Sequence, residues 1–120
     1  MEKVAYLEID DFNKNGTLKP YVNQGYSTVV MVQAGYCGYC TKAKPDYQTF
    51  AKSGLPVVAA CIVTDGSESE QKAGSIVKQL DPSYQGVPHY MGFDKNGRFI
   101  KSHHGGRSTT DIIEFCESFK

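Results

Sequence analysis

The chain has 120 residues, of which 40% are hydrophobic, enough for one core and a single domain over 1–120. Its 13 Lys and Arg balance 13 Asp and Glu, so no excess charge argues for nucleic acid or an anionic membrane as a partner. No apolar run approaches the roughly 20 residues of a transmembrane helix. The mixed, charged start Met1-Glu2-Lys3-Val4-Ala5-Tyr6-Leu7-Glu8 does not read as a secretory signal and points to a reducing, cytoplasmic compartment.

In chain order, Val4 to Ile9 alternates like a short strand, Asp10 to Gly16 is a loop, and Thr17 to Asn23 reads as a short helix interrupted by Pro20. Residues 28–34 (Thr-Val-Val-Met-Val-Gln-Ala) are apolar and β-branched, the pattern of a buried strand. A helix follows from about Cys40 to Ser53; Pro45 lies inside it and is expected to kink it, and Gly54 ends it. The run 56–63 is a second continuous apolar strand of the kind buried on both faces. Asp65-Gly66-Ser67 turns into a helix over 68–80 with Ile76, Val77 and Leu80 inward, and the segment 81–86 breaks it. Strands at 89–93 and 98–103 flank Asp94-Lys95-Asn96-Gly97, a hairpin signal. Gly105-Gly106 leads to a last helix over 108–119, with Ser108 as cap and Asp111 three residues on. Alternating strands and helices closed by a hairpin predict an α/β fold, a mixed central sheet with helices on both faces.

The chemistry is concentrated in Cys37-Gly38-Tyr39-Cys40, at the junction of the 28–34 strand and the following helix. That junction places the first sulfur at a helix N-terminus, where unpaired N–H groups and the positive end of the macrodipole favour a thiolate. A free thiol with a pKa near 8.5 is only about 3% thiolate at pH 7, and about 2 kcal/mol of differential stabilisation raises that to roughly half. A helix N-terminus supplies roughly 1–2 kcal/mol of it in a partly buried site. The second cysteine, one turn deeper, can attack a mixed disulfide formed at the first. Cys61, in the apolar run, and Cys116, at helical spacing with Ile112 and Phe119, read as small buried hydrophobes rather than as members of a disulfide framework.

With these residues in place the chain resembles thioredoxin over about Val4 to Phe119. The resemblance implies a thioredoxin-like fold with Cys37 as attacking cysteine and Cys40 as resolving one. It makes Pro45 the proline of the active-site helix, Gly86-Val87-Pro88 the loop whose cis-proline packs against the dithiol, and Gly105 the glycine opening the last strand-to-helix turn. Val87 would offer backbone groups to an incoming peptide, as a strand edge does. Tyr36, Gly38, Tyr39, Gly86, Val87, Pro88 and Gly105 would form or support the contact surface.

Three departures stand out. Tyr36 occupies the usual Trp position before the first cysteine, and the chain has no Trp. Met31 stands where thioredoxins carry a buried Asp, and Cys61 takes the place of that Asp's Lys partner. Losing both charges together is coherent, since an apolar pair needs no compensation, but it removes the base expected to activate Cys40. The dipeptide Gly38-Tyr39 lacks the usual proline, which predicts a less reducing dithiol. Tyr39 and the segment 105–111 also echo glutaredoxins, whereas the segment before the cysteine-bearing strand and the long stretch from Pro88 to Gly105 follow thioredoxins.

Other signals carry less. Asp11 to Gly16 opens like an EF-hand loop but would put Val22 where a bidentate Glu is required. Adjacent His103 and His104 on a strand point to opposite faces and cannot both close a zinc site with the cysteines. His89 follows Pro88 and either approaches the sulfurs or faces elsewhere; Lys42 and Lys44 either add positive potential or form a solvated helix face.

The expectation is therefore a monomeric thiol–disulfide oxidoreductase acting on protein disulfides, with no organic cofactor and no metal, recycled by a reductase or a small thiol. Glutaredoxin- or isomerase-like exchange is one alternative, and a non-catalytic thioredoxin-fold binding module is another.

Overall fold

The computed structural model describes residues 3–120, so the first two residues of the charged N-terminal stretch lie outside the described residues. The order of elements is β1 (Ala5–Tyr6), a 3-10 turn (Ile9–Asp11), α1 (Pro20–Asn23), β2 (Ser27–Gln33), α2 (Gly38–Ala51), β3 (Val57–Val63), α3 (Glu68–Leu80), β4 (His89–Phe93), β5 (Phe99–His103) and α4 (Thr109–Glu117). The strands form one sheet in the order β1-β3-β2-β4-β5. β1, β3 and β2 run parallel, and β4 and β5 are antiparallel to their neighbours. This is the mixed sheet expected from the pattern.

The two apolar runs become β2 and β3 because both their faces are covered. Val29 and Met31 of β2 and Val57 and Ala59 of β3 pack with Ala43, Tyr47 and Phe50 of α2 and Ile112 and Phe115 of α4. The alternate residues Val30, Val32, Ala60 and Ile62 pack on the other face with Val22 of α1 and Ala73 and Val77 of α3. The period-two alternation of a strand thus serves two layers of helices.

The boundaries of β1, α1, α2 and α4 differ most from the sequence expectation, while those of β2, β3 and β5 shift by one residue. The first strand is only two residues long and its alternation gives way to the 3-10 turn at Ile9. The helix expected over 17–23 is confined to 20–23, and Pro20 opens it instead of interrupting it, because a first-turn residue has no helical partner for its N–H. α2 begins at Gly38, not Cys40, since Cys37 itself caps it. α4 spans 109–117 with the expected reciprocal Ser108–Asp111 cap. At the β4–β5 turn Gly97 has φ +81 and a Cβ there would fall 2.6 Å from the Leu18 carbonyl oxygen, so glycine is required for the hairpin to sit against the N-terminal segment, where the Leu18 N–H donates to the Gly97 carbonyl (2.8 Å).

Candidate active site

α2 starts at the carboxyl end of β2, in the middle of the sheet, where open α/β sheets build their sites. Cys37 is its N-cap: its sulfur accepts a hydrogen bond from the Cys40 N–H at 3.0 Å. The Cα atoms of Cys37 and Cys40 lie 5.2 Å apart and the two sulfurs are joined as a disulfide, within the range that bridging requires. Cys40 is fully buried, whereas Cys37 lies at the surface edge at 8% exposure between Tyr36 and Tyr39, which are 80% and 68% exposed. The sulfur nearer solvent is therefore also the one facing a helix N-terminus.

The loop before Cys37 is held from the next connection. The Gly35 N–H donates to both carboxylate oxygens of Asp65, at 2.8 and 3.0 Å, and the Cys37 N–H donates to the Ala34 carbonyl at 3.2 Å. Pro45 lies inside α2 with no N–H to return to the carbonyl of Thr41. The Val87–Pro88 peptide bond is cis, and Gly86 before it has φ +144, a backbone region nearly reserved for glycine. Val87 packs against the core cluster that contains Cys37 and Cys40. Gly105 follows β5, and a Cβ there would fall 2.9 Å from the His103 ring.

Behind the dithiol, Met31 of β2 is the register partner of Cys61 of β3, so the two expected replacements do face each other. Burial pushes the Cys61 thiol up to about 12, only partly offset by the Gln33 amide that donates to its sulfur at 2.7 Å. Burial likewise pushes Cys116 up to about 11. Both are free, buried thiols, inert as nucleophiles near neutral pH. Tyr47 of α2 supplies a buried polar contact on this side: its hydroxyl lies 2.7 Å from the Val29 carbonyl and 2.6 Å from that of Ala60, and accepts from the Ala60 N–H at 3.2 Å.

His89 settles on the second of its two expected placements. Its Nε2 lies 2.8 Å from Asp81 Oδ2 and 3.1 Å from Ser102 Oγ, on the α3 side of the sheet. The Ser102 hydroxyl also donates to Asp81 Oδ2, and Ser83 donates to Oδ1 through its hydroxyl (2.5 Å) and its N–H (3.0 Å). Desolvation pulls upward on the Asp81 pKa, but these donors outweigh it and hold the carboxyl well below the usual range. Burial lowers the His89 pKa and Asp81 partly opposes that. The cluster joins both ends of the segment 82–88 to β5. Its members are separated by 8 and 21 residues, and of these the sequence reading singled out only His89. His103 and His104 face opposite ways, with the His103 ring 4.9 Å from Phe115 and the His104 ring 5.7 Å from His89.

No protein-family model matches the chain. Thioredoxin-like protein 453L of Invertebrate iridescent virus 6 is 32% identical over 93% of this chain and 91% of its own length. The chain belongs to the thioredoxin-like family. A protein disulfide-isomerase of Zea mays is 26% identical over 95% of this chain, which spans 21% of that longer protein. Among solved structures, thioredoxin f2 in its complex with ferredoxin:thioredoxin reductase superposes with a TM-score of 0.71 at 17% identity, over 98% of this chain and 94% of its own. The fold is thus the thioredoxin fold, and with Cys37 and Cys40 paired at the helix N-terminus the chemistry is that of a thiol–disulfide oxidoreductase. Among the described residues no helix is long and apolar enough to cross a membrane.

Proposed function

We propose that the protein reduces disulfides in polypeptide substrates. The observation that supports this most directly is the asymmetry of the pair: Cys37, 8% exposed with its sulfur at a helix N-terminus, and the fully buried Cys40 one turn behind it. Cys37 as thiolate attacks one sulfur of the substrate disulfide. That S–S bond breaks, a Cys37–substrate disulfide forms, and the departing thiolate takes up a proton. Cys40 then gives up its proton and attacks the Cys37 sulfur, closing the Cys37–Cys40 disulfide and releasing the second substrate thiolate. Two electrons pass from the dithiol to the substrate. Met31 offers no proton acceptor to Cys40, so that proton leaves to solvent or to a substrate group, and resolution is the slow step.

Gly86, Val87 and Pro88 provide the surface on which an extended peptide lies, with Tyr36 and Tyr39 as an apolar rim, Gly38 following Cys37 in the chain and Gly105 beyond the loop. Pro45 shapes α2 behind the pair. The oxidised dithiol has to be reduced again; a reductase or a small thiol does this, and the thioredoxin f2 that shares this fold was solved with such a reductase. Two free buried thiols fit a reducing, cytoplasmic setting, and we read the chain as a monomer of a single domain over 1–120.

The test is reduction of insulin disulfides by the dithiothreitol-coupled protein. The wild type accelerates it; Cys37→Ser removes the activity while the far-UV spectrum stays the same. A wild type without activity, with partner binding untouched by Cys37→Ser, would instead identify a binding module. The Met31 and Gly38-Tyr39 departures favour a second reading, isomerase-like or glutaredoxin-like exchange, which a redox poise at or above that of the glutathione couple would support.

A further inference from the structure

Beside the cis-proline loop a cleft of about 350 Å³ opens between that loop and the turn after β5. Its walls include Gly86, Pro88, His89, His103, His104 and Arg107, and no acidic side chain lines it. The Arg107 guanidinium lies 5.7 Å from the centre of the Tyr39 ring, and Lys42 Nζ lies 6.0 Å from the same ring. Tyr39, one of the two residues between the cysteines, thus has two cations within reach of its ring. Neither makes an ion pair among the described residues, where the carboxylate partners belong to Lys72, His89 and Lys120.

The neighbouring carboxylates are hydrogen-bonded within the fold, and Asp46 lines a second hollow with Tyr39, Lys42 and Arg107. Asp46 accepts from the Thr109 hydroxyl and N–H at 2.8 and 3.0 Å, and Asp111 from the Ser108 hydroxyl and N–H at 2.7 and 3.2 Å. Asp81 lies beneath the cleft floor, satisfied by Ser83, Ser102 and His89. The cleft itself therefore presents Arg107 and no carboxylate, although the chain as a whole is neutral.

We infer that this cleft selects substrates: it takes an acidic side chain of the polypeptide next to the disulfide under attack, with Arg107 as its partner and Lys42, in the adjoining hollow, adding positive potential. The inference rests on the reading that the substrate is a protein disulfide, and it narrows that substrate to acidic segments. A peptide crossing the Gly86–Pro88 loop with its disulfide at Cys37 comes alongside Arg107, which shares the cleft with that loop and can meet a carboxylate with two parallel N–H donors. Charges at the rim of an interface act mainly on association rate and specificity.

The test uses two disulfide-bridged peptides identical except that Glu or Lys flanks each cysteine. With kcat/KM measured at about 0.01 M salt, where the Debye length is about 30 Å, the wild type is expected to prefer the Glu peptide by about tenfold. The preference should shrink at about 0.15 M salt, fall toward unity in Arg107→Gln and invert in Arg107→Glu. Lys42→Glu provides a second, independent variant that should weaken the same preference. Equal rates on both peptides, or a preference that survives both charge reversals, overturn the inference and leave the disulfide reductase standing. Failure of the wild type on both peptides removes the reductase reading and this inference together.

Discussion

The four cysteines divide into two pairs with the same side chain and opposite chemistry. Cys37 and Cys40 sit where a helix begins, with a backbone N–H donated to the outer sulfur. Cys61 and Cys116 sit inside the core, where burial raises both thiols to about 12 and 11. Nothing intrinsic to cysteine separates them; the positions of the helix end and of solvent do. Cys61 makes the contrast sharper, since it stands in register with Met31 directly behind the dithiol and is still excluded from the chemistry by its surroundings.

The sharpest way to break this comparison is to remove the outer sulfur. Cys37→Ser should lower disulfide-reducing activity by ~10³-fold or more, with a melting temperature near that of the reduced wild type; residual activity within tenfold of wild type would mean that another thiol does the work. Cys40→Ser should instead leave the first attack intact and accumulate a Cys37–substrate mixed disulfide, visible as added mass and removed by dithiothreitol.

Asp81→Asn probes the other polar centre, the one that anchors both ends of the cis-proline segment. Losing a carboxylate with Ser83, Ser102 and His89 as donors should cost about 2–4 kcal/mol in urea unfolding. The pH dependence has a definite sign. Asp81 has a depressed folded pKa, so its stabilisation is complete above the ordinary carboxyl range and is lost as pH falls through it. The His89 pKa is also lowered, so below about pH 6.5 the unfolded chain binds a proton that the folded chain resists, and stability again falls with acidification. Between about pH 7 and 5 the loss of stability should be steeper in Asp81→Asn, whose His89 lacks the carboxylate that partly restores its pKa, whereas below about pH 4 the wild type should lose stability faster as Asp81 is protonated. The smallest effect is expected from Cys61→Ala: about 1 kcal/mol of stability for a small buried group, with kcat/KM within about twofold of wild type.

The parts of the fold that depend on local pattern were legible in the sequence. The runs that became β2 and β3 are apolar on both faces, the Asp94–Gly97 turn has its own chemistry, and Ser108 caps its helix through Asp111 three residues on; the same device at Ser67 and Glu70 reads only as a turn in the sequence. The dithiol was legible because its spacing and its place after a strand occur together. What escaped was set by distant partners. β1 is two exposed residues defined only by pairing with Ala60 and Cys61, so no periodicity announces where it ends. Asp81 and Ser83 read as turn residues, and their shared role appears only when β5 brings Ser102 alongside. Arg107 looks like an ordinary loop cation until the fold sets it over Tyr39.

The most direct test of the division between the two cysteine pairs is equilibration of the reduced protein in glutathione redox buffers, with thiols blocked at each step and sites read by mass. Cys37 and Cys40 should leave the reduced pool together as a single intramolecular disulfide, while Cys61 and Cys116 become reactive only after unfolding. Oxidation or labelling of Cys61 or Cys116 in the folded protein, or a Cys37–Cys40 pair that stays reduced across the whole range, would contradict that division.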